Sequence, residues 1–220
     1  MFTSGSSLTS RLSASPGAVY LPLAIAGTLA GCVRAPLDSD CAALAEGDLV
    51  VSELRGKQAE ASSYRQWVEV YNASDEAVQL SGLRLVFTRN DGDSVALFVR
   101  ADLELPAGAY ATLGGGSPDE FPYIDYDYTV DLHSVSDPSQ PSDLDGSALL
   151  TLETCGTVID SVHYTLPELG TLALDGAAAP DAAANDDTKS GWCNDLREGD
   201  GPQTEIGVRG TPQEANPPCA

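Results

Sequence analysis

Positive charge is scarce in this chain. Lys and Arg total 11 against 33 Asp and Glu, a formal net charge of −22 at pH 7. Phosphate backbones are gripped by clustered Lys and Arg, so nucleic acid is not an expected partner. Imidazoles are scarcer still, with only His133 and His163. Cys-x-x-Cys, His-Glu-x-x-His, Gly-x-Ser-x-Gly and phosphate-cradling Gly-Lys loops are all missing. Their absence removes the usual zinc sites, the metalloprotease helix, the nucleophile elbow and the nucleotide loop. No segment repeats its apolar residues every 3.6 positions, and no apolar run approaches the ~18 residues of a membrane-spanning helix.

Acid is missing from one region only. Residues 1–31 hold no Asp or Glu and one basic side chain, Arg11. Ala18 to Leu29 is apolar and of the length of a signal-peptide core, and Leu29-Ala30-Gly31-Cys32 follows it. That ending resembles a bacterial lipobox, in which the Cys is lipidated and the chain is cut on its N-terminal side. The expectation is therefore a lipoprotein signal peptide at 1–31, then a lipidated Cys32 and tether at 32–47. The protein would be exported and anchored to a bacterial membrane, facing the periplasm or the cell exterior. Two or more acyl chains suffice for stable anchoring, at roughly 0.8 kcal/mol per buried methylene. Ordinary secretion with cleavage nearby is the alternative.

What is present fits export. Setting Cys32 aside leaves Cys41, Cys155, Cys193 and Cys219, an even number suited to an oxidising compartment. Four cysteines allow three pairings. The expected one is Cys41–Cys155, tying the N-terminal lead to a later strand, with Cys193–Cys219 clipping the C-terminal tail. Hydrophobic residues make up 42% of the chain, enough for a core despite the charge. Gly 21 and Pro 14 exceed the usual ~12% combined share, which favours many short strands.

Strand signals begin at Asp48-Leu-Val-Val-Ser-Glu-Leu54. In Tyr64 to Tyr71 the residues alternate, with Val68 and Val70 on one face and Trp67, Glu69 and Tyr71 on the other. Leu83 to Thr88 and Val95 to Val99 flank a hairpin signal at Asn90-Asp-Gly-Asp93. Ala109 to Leu113 follows a Pro-Ala-Gly turn, and Ala148 to Leu152 pairs with Thr157 to Tyr164 around Cys155-Gly156. Leu172-Ala-Leu174 is the last run. Eight to ten short strands with frequent turns predict an all-β sandwich with an irregular, disulfide-clipped tail.

Several of these runs together resemble a lamin-tail domain, an immunoglobulin-like β-sandwich also carried by bacterial exported proteins. The matching pieces are Asp48 to Leu54, Trp67-Val-Glu-Val-Tyr-Asn72, Val78 to Leu83, Leu105-Pro-Ala-Gly-Ala-Tyr110 and Gly156 to Tyr164. Trp192-Cys193 and Gly210-Thr-Pro-Gln-Glu-Ala-Asn216 complete them, so the domain is expected over 48–217. Two positions depart from the family pattern. Leu83 stands where an aromatic often follows Leu-Ser-Gly, and Gln213 stands where Gly usually follows Thr-Pro. The resemblance implies an interaction or scaffolding module and transfers no catalytic residue.

The sequence offers three candidate features. Phe121, Tyr123, Tyr126 and Tyr128 lie among acids in a long Gly- and Pro-rich connection, 114–147. They would form a contact surface for a protein or glycan partner, or else fold back to cap a sheet edge. Asp143 and Asp145 approach a calcium loop without completing one. His163 reads as a strand-surface histidine, and His133 as a loop residue beside acids. The leading expectation is a non-enzymatic, membrane-anchored binding module with no cofactor. A calcium-stabilised adhesive module and a carboxylate-based hydrolase are the alternatives.

Overall fold

The computed structural model describes residues 41–59, 65–129, 144–186, 191–198 and 208–220. Cys32, His133 and Asp143 lie outside the described residues, as does the whole 1–31 leader. The order begins β1 (Leu49–Arg55), β2 (Trp67–Asn72), β3 (Val78–Gln79), β4 (Arg84–Thr88), β5 (Ser94–Phe98) and β6 (Glu104–Leu105). It continues with β7 (Tyr110–Gly114), β8 (Tyr126–Asp127), β9 (Ser147–Thr154), β10 (Thr157–Thr165), β11 (Thr171–Leu174) and β12 (Trp192–Asp195). No helix appears among the described residues, and none there is long and apolar enough to cross a membrane.

The strands form a six-stranded sheet in the order β12-β11-β1-β2-β7-β8 and a four-stranded sheet in the order β10-β9-β4-β5. β3 and β6 make a separate ribbon. All pairs are antiparallel except β7 with β8. The expected all-β, immunoglobulin-like sandwich is what forms. It is richer in strands than expected, because β8 and β12 arise in stretches whose sequence signalled irregular chain. Each is short and pairs with the strand before it across an irregular connection, so the local pattern is too brief to reveal it.

Alternation explains the core. β9 buries Ala148, Leu150 and Leu152, β4 buries Leu85 and Phe87, and β10 buries Val162 and Tyr164. Across from them, the six-stranded sheet contributes Leu49, Val51 and Leu54 from β1, Val68 and Val70 from β2, and Ala111 and Leu113 from β7. Burying each side chain of Val to Phe size stabilises the fold by roughly 1.5–3 kcal/mol.

Turn chemistry closes the hairpins. Asn90-Asp-Gly-Asp93 joins β4 to β5, with Gly92 at φ 93°. Cys155 and Gly156 form the two-residue β9–β10 turn with φ of 44° and 84°, as a turn with two left-handed central residues requires. Cys155 is bridged there to Cys41, and Cys193 of β12 to Cys219, with Cα separations of 5.5 and 5.8 Å. Both expected pairings are present.

Candidate functional site

Strict alternation along β1 would send Glu53 into the apolar core, beside Val51. A β-bulge prevents this. The pairing of β1 with β2 runs Val51↔Val70 and then Glu53↔Glu69, so Ser52 is the extra residue. Bulges re-aim side chains. This one brings Ser52 and Glu53 to the outer face of the sheet, opposite Glu69. Leu54 then returns to the core.

The outer face should meet water, yet Glu53 and Glu69 are both 0% exposed. Two segments roof them. One is the chain around Phe121–Ile124, and the other is Val208–Asn216. With Trp67 they build a second apolar cluster of Phe121, Tyr123, Ile124 and Val208. Tyr123 sits between the other two rings, 5.5 Å from Trp67 and 5.9 Å from Phe121 by centroid. The Arg55 guanidinium lies over the Trp67 ring at 4.9 Å, and that of Arg65 over Phe121 at 4.6 Å.

Beneath this roof the carboxyl oxygens are engaged one by one. Trp67 Nε1 donates to Glu53 Oε1 at 2.9 Å, and the Thr211 backbone N–H donates to Glu53 Oε2 at 3.0 Å. Ser52 Oγ donates to Glu69 Oε1 at 2.7 Å, and the Gln213 N–H donates to Glu69 Oε2 at 2.6 Å. Thr112 Oγ1 adds a longer contact to Glu69 Oε2 at 3.4 Å. The tail is held further by Arg55 Nη1 donating to the Arg209 carbonyl and Asn216 Nδ2 donating to the Ser52 carbonyl. Gly210 passes so close that a Cβ there would stand 2.7 Å from Glu53 Oε1.

Burial dominates the electrostatics. Desolvation pushes Glu53 up to about 7, against the opposing effect of its hydrogen-bond donors and with a small addition from Asp195. Glu69 is raised well above the carboxylate range, first by burial and then by the neighbouring Glu53 charge. Like charges directly opposite on adjacent strands repel. Asp125, whose Oδ2 accepts the Thr112 N–H at 2.7 Å, is also raised by burial. Paired acids with shifted affinities are the raw material of acid–base catalysis. Here both carboxyls are sealed from solvent, so the pair meets no substrate in this state.

The aromatic run at 121–128 is placed differently from an exposed contact surface. Phe121, Tyr123 and Tyr128 are buried, and Tyr126 is half-buried. Tyr126 Oη donates to the Phe98 carbonyl at 2.9 Å, Tyr128 Oη donates to the Gln66 carbonyl at 3.1 Å, and both rings belong to the main core. Burying apolar ring area outweighs displaying it, so the rings contact the protein's own interior. Among its described residues, Pro118, Asp119, Glu120 and Pro122, beside the rings, face outward.

Asp145 is paired with Arg89. Arg89 Nε donates to its two carboxylate oxygens at 3.0 and 2.9 Å. Among the described residues no group of three or more His, Cys, Asp and Glu is arranged to hold a metal ion. His163 is exposed on β10. A concavity of about 500 Å³ lies beside that strand, lined by Glu46, Val158, Asp160, Asp181 and Asp186 among others. Asp160 within it is buried and accepts the Val51 N–H at 2.7 Å and Asn185 Nδ2 at 2.8 Å.

Comparison with known proteins settles the family. The model described as Lamin Tail Domain matches residues 42–166, more than half of the chain. The chain belongs to the lamin tail domain family. This family is one of non-enzymatic, immunoglobulin-like interaction modules. No curated protein matches the chain. The family match ends at Leu166, before β11, β12 and the tail segment that roofs the two glutamates.

Sequence reasoning set Glu69 on a face with Trp67 and Tyr71, and that is its face. It missed Glu53 as a partner and missed the roof. The one available signal was Thr211-Pro212-Gln213, the stretch where the resemblance led to an expected Gly and the chain has Gln. Gln213 has φ 68°, a left-handed conformation that Gly adopts freely. Its backbone N–H is thereby turned onto Glu69, and its side-chain Nε2 donates to Asp125 Oδ1 at 2.8 Å.

Proposed function

We propose that this lamin-tail protein is an exported, lipid-anchored interaction module that meets protein or glycan partners at the cell envelope. The observation that carries the reading is the use of cysteine. Cys41–Cys155 and Cys193–Cys219 consume every cysteine but Cys32. Two bridges suit an oxidising compartment, and the cysteine left over is the one that ends the apolar leader. The leader at 1–31 is removed, Cys32 takes the lipid, and residues to 47 serve as the tether.

With the aromatic rings turned inward, the contact surface shifts to the acidic concavity beside β10. Its carboxylates favour cationic groups, and Val158, 48% exposed, supplies apolar contact at its edge.

Replacing Cys32 by Ser tests the anchor. The variant is expected to leave the membrane fraction and to lose acyl labelling, and an unchanged distribution overturns the anchoring. Replacing Asp181 and Asp186 together by Lys tests the surface. Binding of a Lys-rich probe peptide to the exported protein should fall at least tenfold; equal binding would remove the concavity from the proposal.

A further inference from the structure

The tail segment that roofs Glu53 and Glu69 has a chemical peculiarity. It grips the pair through the backbone N–H groups of Thr211 and Gln213, with Pro212 between them offering none. The donors seen on the carboxyl oxygens among the described residues are an indole, hydroxyls and peptide N–H groups.

The geometry at Thr211 accommodates a proton on Glu53. Its single hydroxyl stands 3.2 Å from Glu53 Oε2 and 2.9 Å from Asn216 Oδ1. Both oxygens are acceptors when Glu53 is ionised, and one hydroxyl proton serves only one of them. Once Glu53 Oε2 carries a proton, it donates to Thr211 Oγ1, which donates to Asn216 Oδ1. The row is then complete.

We propose that Val208–Asn216 is a proton-operated latch, closed over the Glu53–Glu69 pair while the pair holds a proton and released when both carboxyls are charged. Two like charges on opposed positions of adjacent strands, out of water, push against the segment that keeps them dry. Lifting the segment hydrates both. The surrounding groups do not reverse this. Asp195 faces Glu53 from β12 and Asp125 faces Glu69 from the turn after Phe121, and both add negative charge. Asp195 is paired with Arg197, and the Tyr110 phenol of β7 lies near Glu69. Arg55 is the nearby cation, stacked on Trp67 with one N–H committed to the latch's own Arg209 carbonyl. Arg209 itself rides on the latch, whose backbone there forms an isolated antiparallel β-bridge with Glu198. Opening would bare Trp67 and the polar row of β1, β2 and β7. The latch operates whether or not the chain carries a lipid.

Amide hydrogen exchange on the full chain, disulfides intact, tests the latch after correction for intrinsic exchange rates. The opening constant at Thr211 and Gln213 is expected to rise about tenfold per pH unit between pH 5 and 7, the signature of one proton released on opening. Amides of Leu150 and Leu152 in β9 should hold steady. Glu53→Gln and Glu69→Gln, which cannot ionise, should each flatten the slope. A wild-type opening constant that changes less than about twofold over that range would overturn the latch. So would a parallel rise at β9, which would report whole-domain unfolding. If a Gln variant does not fold, the wild-type series decides alone.

Discussion

The cluster between the two sheets and the cluster on the outer face of the six-stranded sheet are built from different materials. Between the sheets lie Leu, Val, Ile and Phe side chains from many strands, closed by alternation. On the outer face a few rings and Val208 surround Glu53, Glu69, Ser52 and Thr112, closed by two segments from distant parts of the chain. The first is held by apolar burial, which is indifferent to pH. The second is held by hydrogen bonds to buried acids, and its strength depends on where protons reside. One sheet therefore carries a permanent face and a conditional one.

The sharpest way to separate them is to cut into the permanent face. Leu85→Ala or Leu150→Ala should cost about 2–5 kcal/mol, the range for truncating fully buried leucines. The loss, read from denaturant midpoints, should be the same at pH 5 and pH 7. A loss that varied with pH would join the two clusters into one cooperative unit.

Breaking the staple of the conditional face comes next. Cys193 and Cys219 are 26 residues apart, and removing their bridge should cost about 3 kcal/mol by the loop-entropy estimate. Protease cleavage within the tail should rise well before cleavage in β9 or β10. Equal cleavage in both would show that the tail is integral to the sandwich.

Acidity should then tune overall stability in a definite direction. Glu53 takes up its proton near 4.5 when unfolded and near 7 when folded, so the folded chain binds that proton more tightly. Its stabilising contribution is complete below about pH 4.5 and is lost as pH rises through about 7. One proton corresponds to about 1.4 kcal/mol per pH unit across that window. Glu69, Asp125 and Asp160 are shifted in the same sense. The melting temperature should climb on acidification from pH 7 to pH 5, and climb less in Glu53→Gln. A protein that instead loses stability over that range would contradict the buried-acid account.

The two clusters also differ in how far they were legible. β4, β5, β9 and β10 announce themselves by period-two alternation, and the turns at Asn90-Asp-Gly-Asp93 and Cys155-Gly156 fix the β4–β5 and β9–β10 pairings. The disulfides follow from parity and position. Glu53 is another matter. Read by alternation it belongs in the core, and only the bulge at Ser52 turns it outward. Whether a strand face is wet or roofed depends on segments more than a hundred residues away, as with Thr211 on Glu53. The aromatic run at 121–128 could equally have displayed its rings. Phe121 and Tyr123 fold inward onto Trp67 and Val208, and Tyr126 and Tyr128 onto the main core.

The smallest expected effect concerns Gln213, the non-glycine residue in a left-handed turn of the conditional face. A non-glycine residue at φ 68° carries about 1–2 kcal/mol of backbone strain. Against that strain the Gln213 side chain donates to Asp125 Oδ1 and to the Pro122 carbonyl, at 2.8 and 3.2 Å. Two such bonds contribute about 1–3 kcal/mol net. Gln213→Ala keeps the strain and loses the bonds, so it should destabilise by about 1–3 kcal/mol. Gln213→Gly loses the bonds and the strain together and should fall between about 1 kcal/mol more stable and about 2 kcal/mol less stable than the parent. The gap between the two variants measures the strain less the extra conformational entropy that Gly loses on folding, because their lost contacts are the same. Equal midpoints for Ala and Gly would mean that the strain of the left-handed turn is no larger than that entropy. In that case the side-chain clasp of tail to loop would be the sole reason for a glutamine at this position.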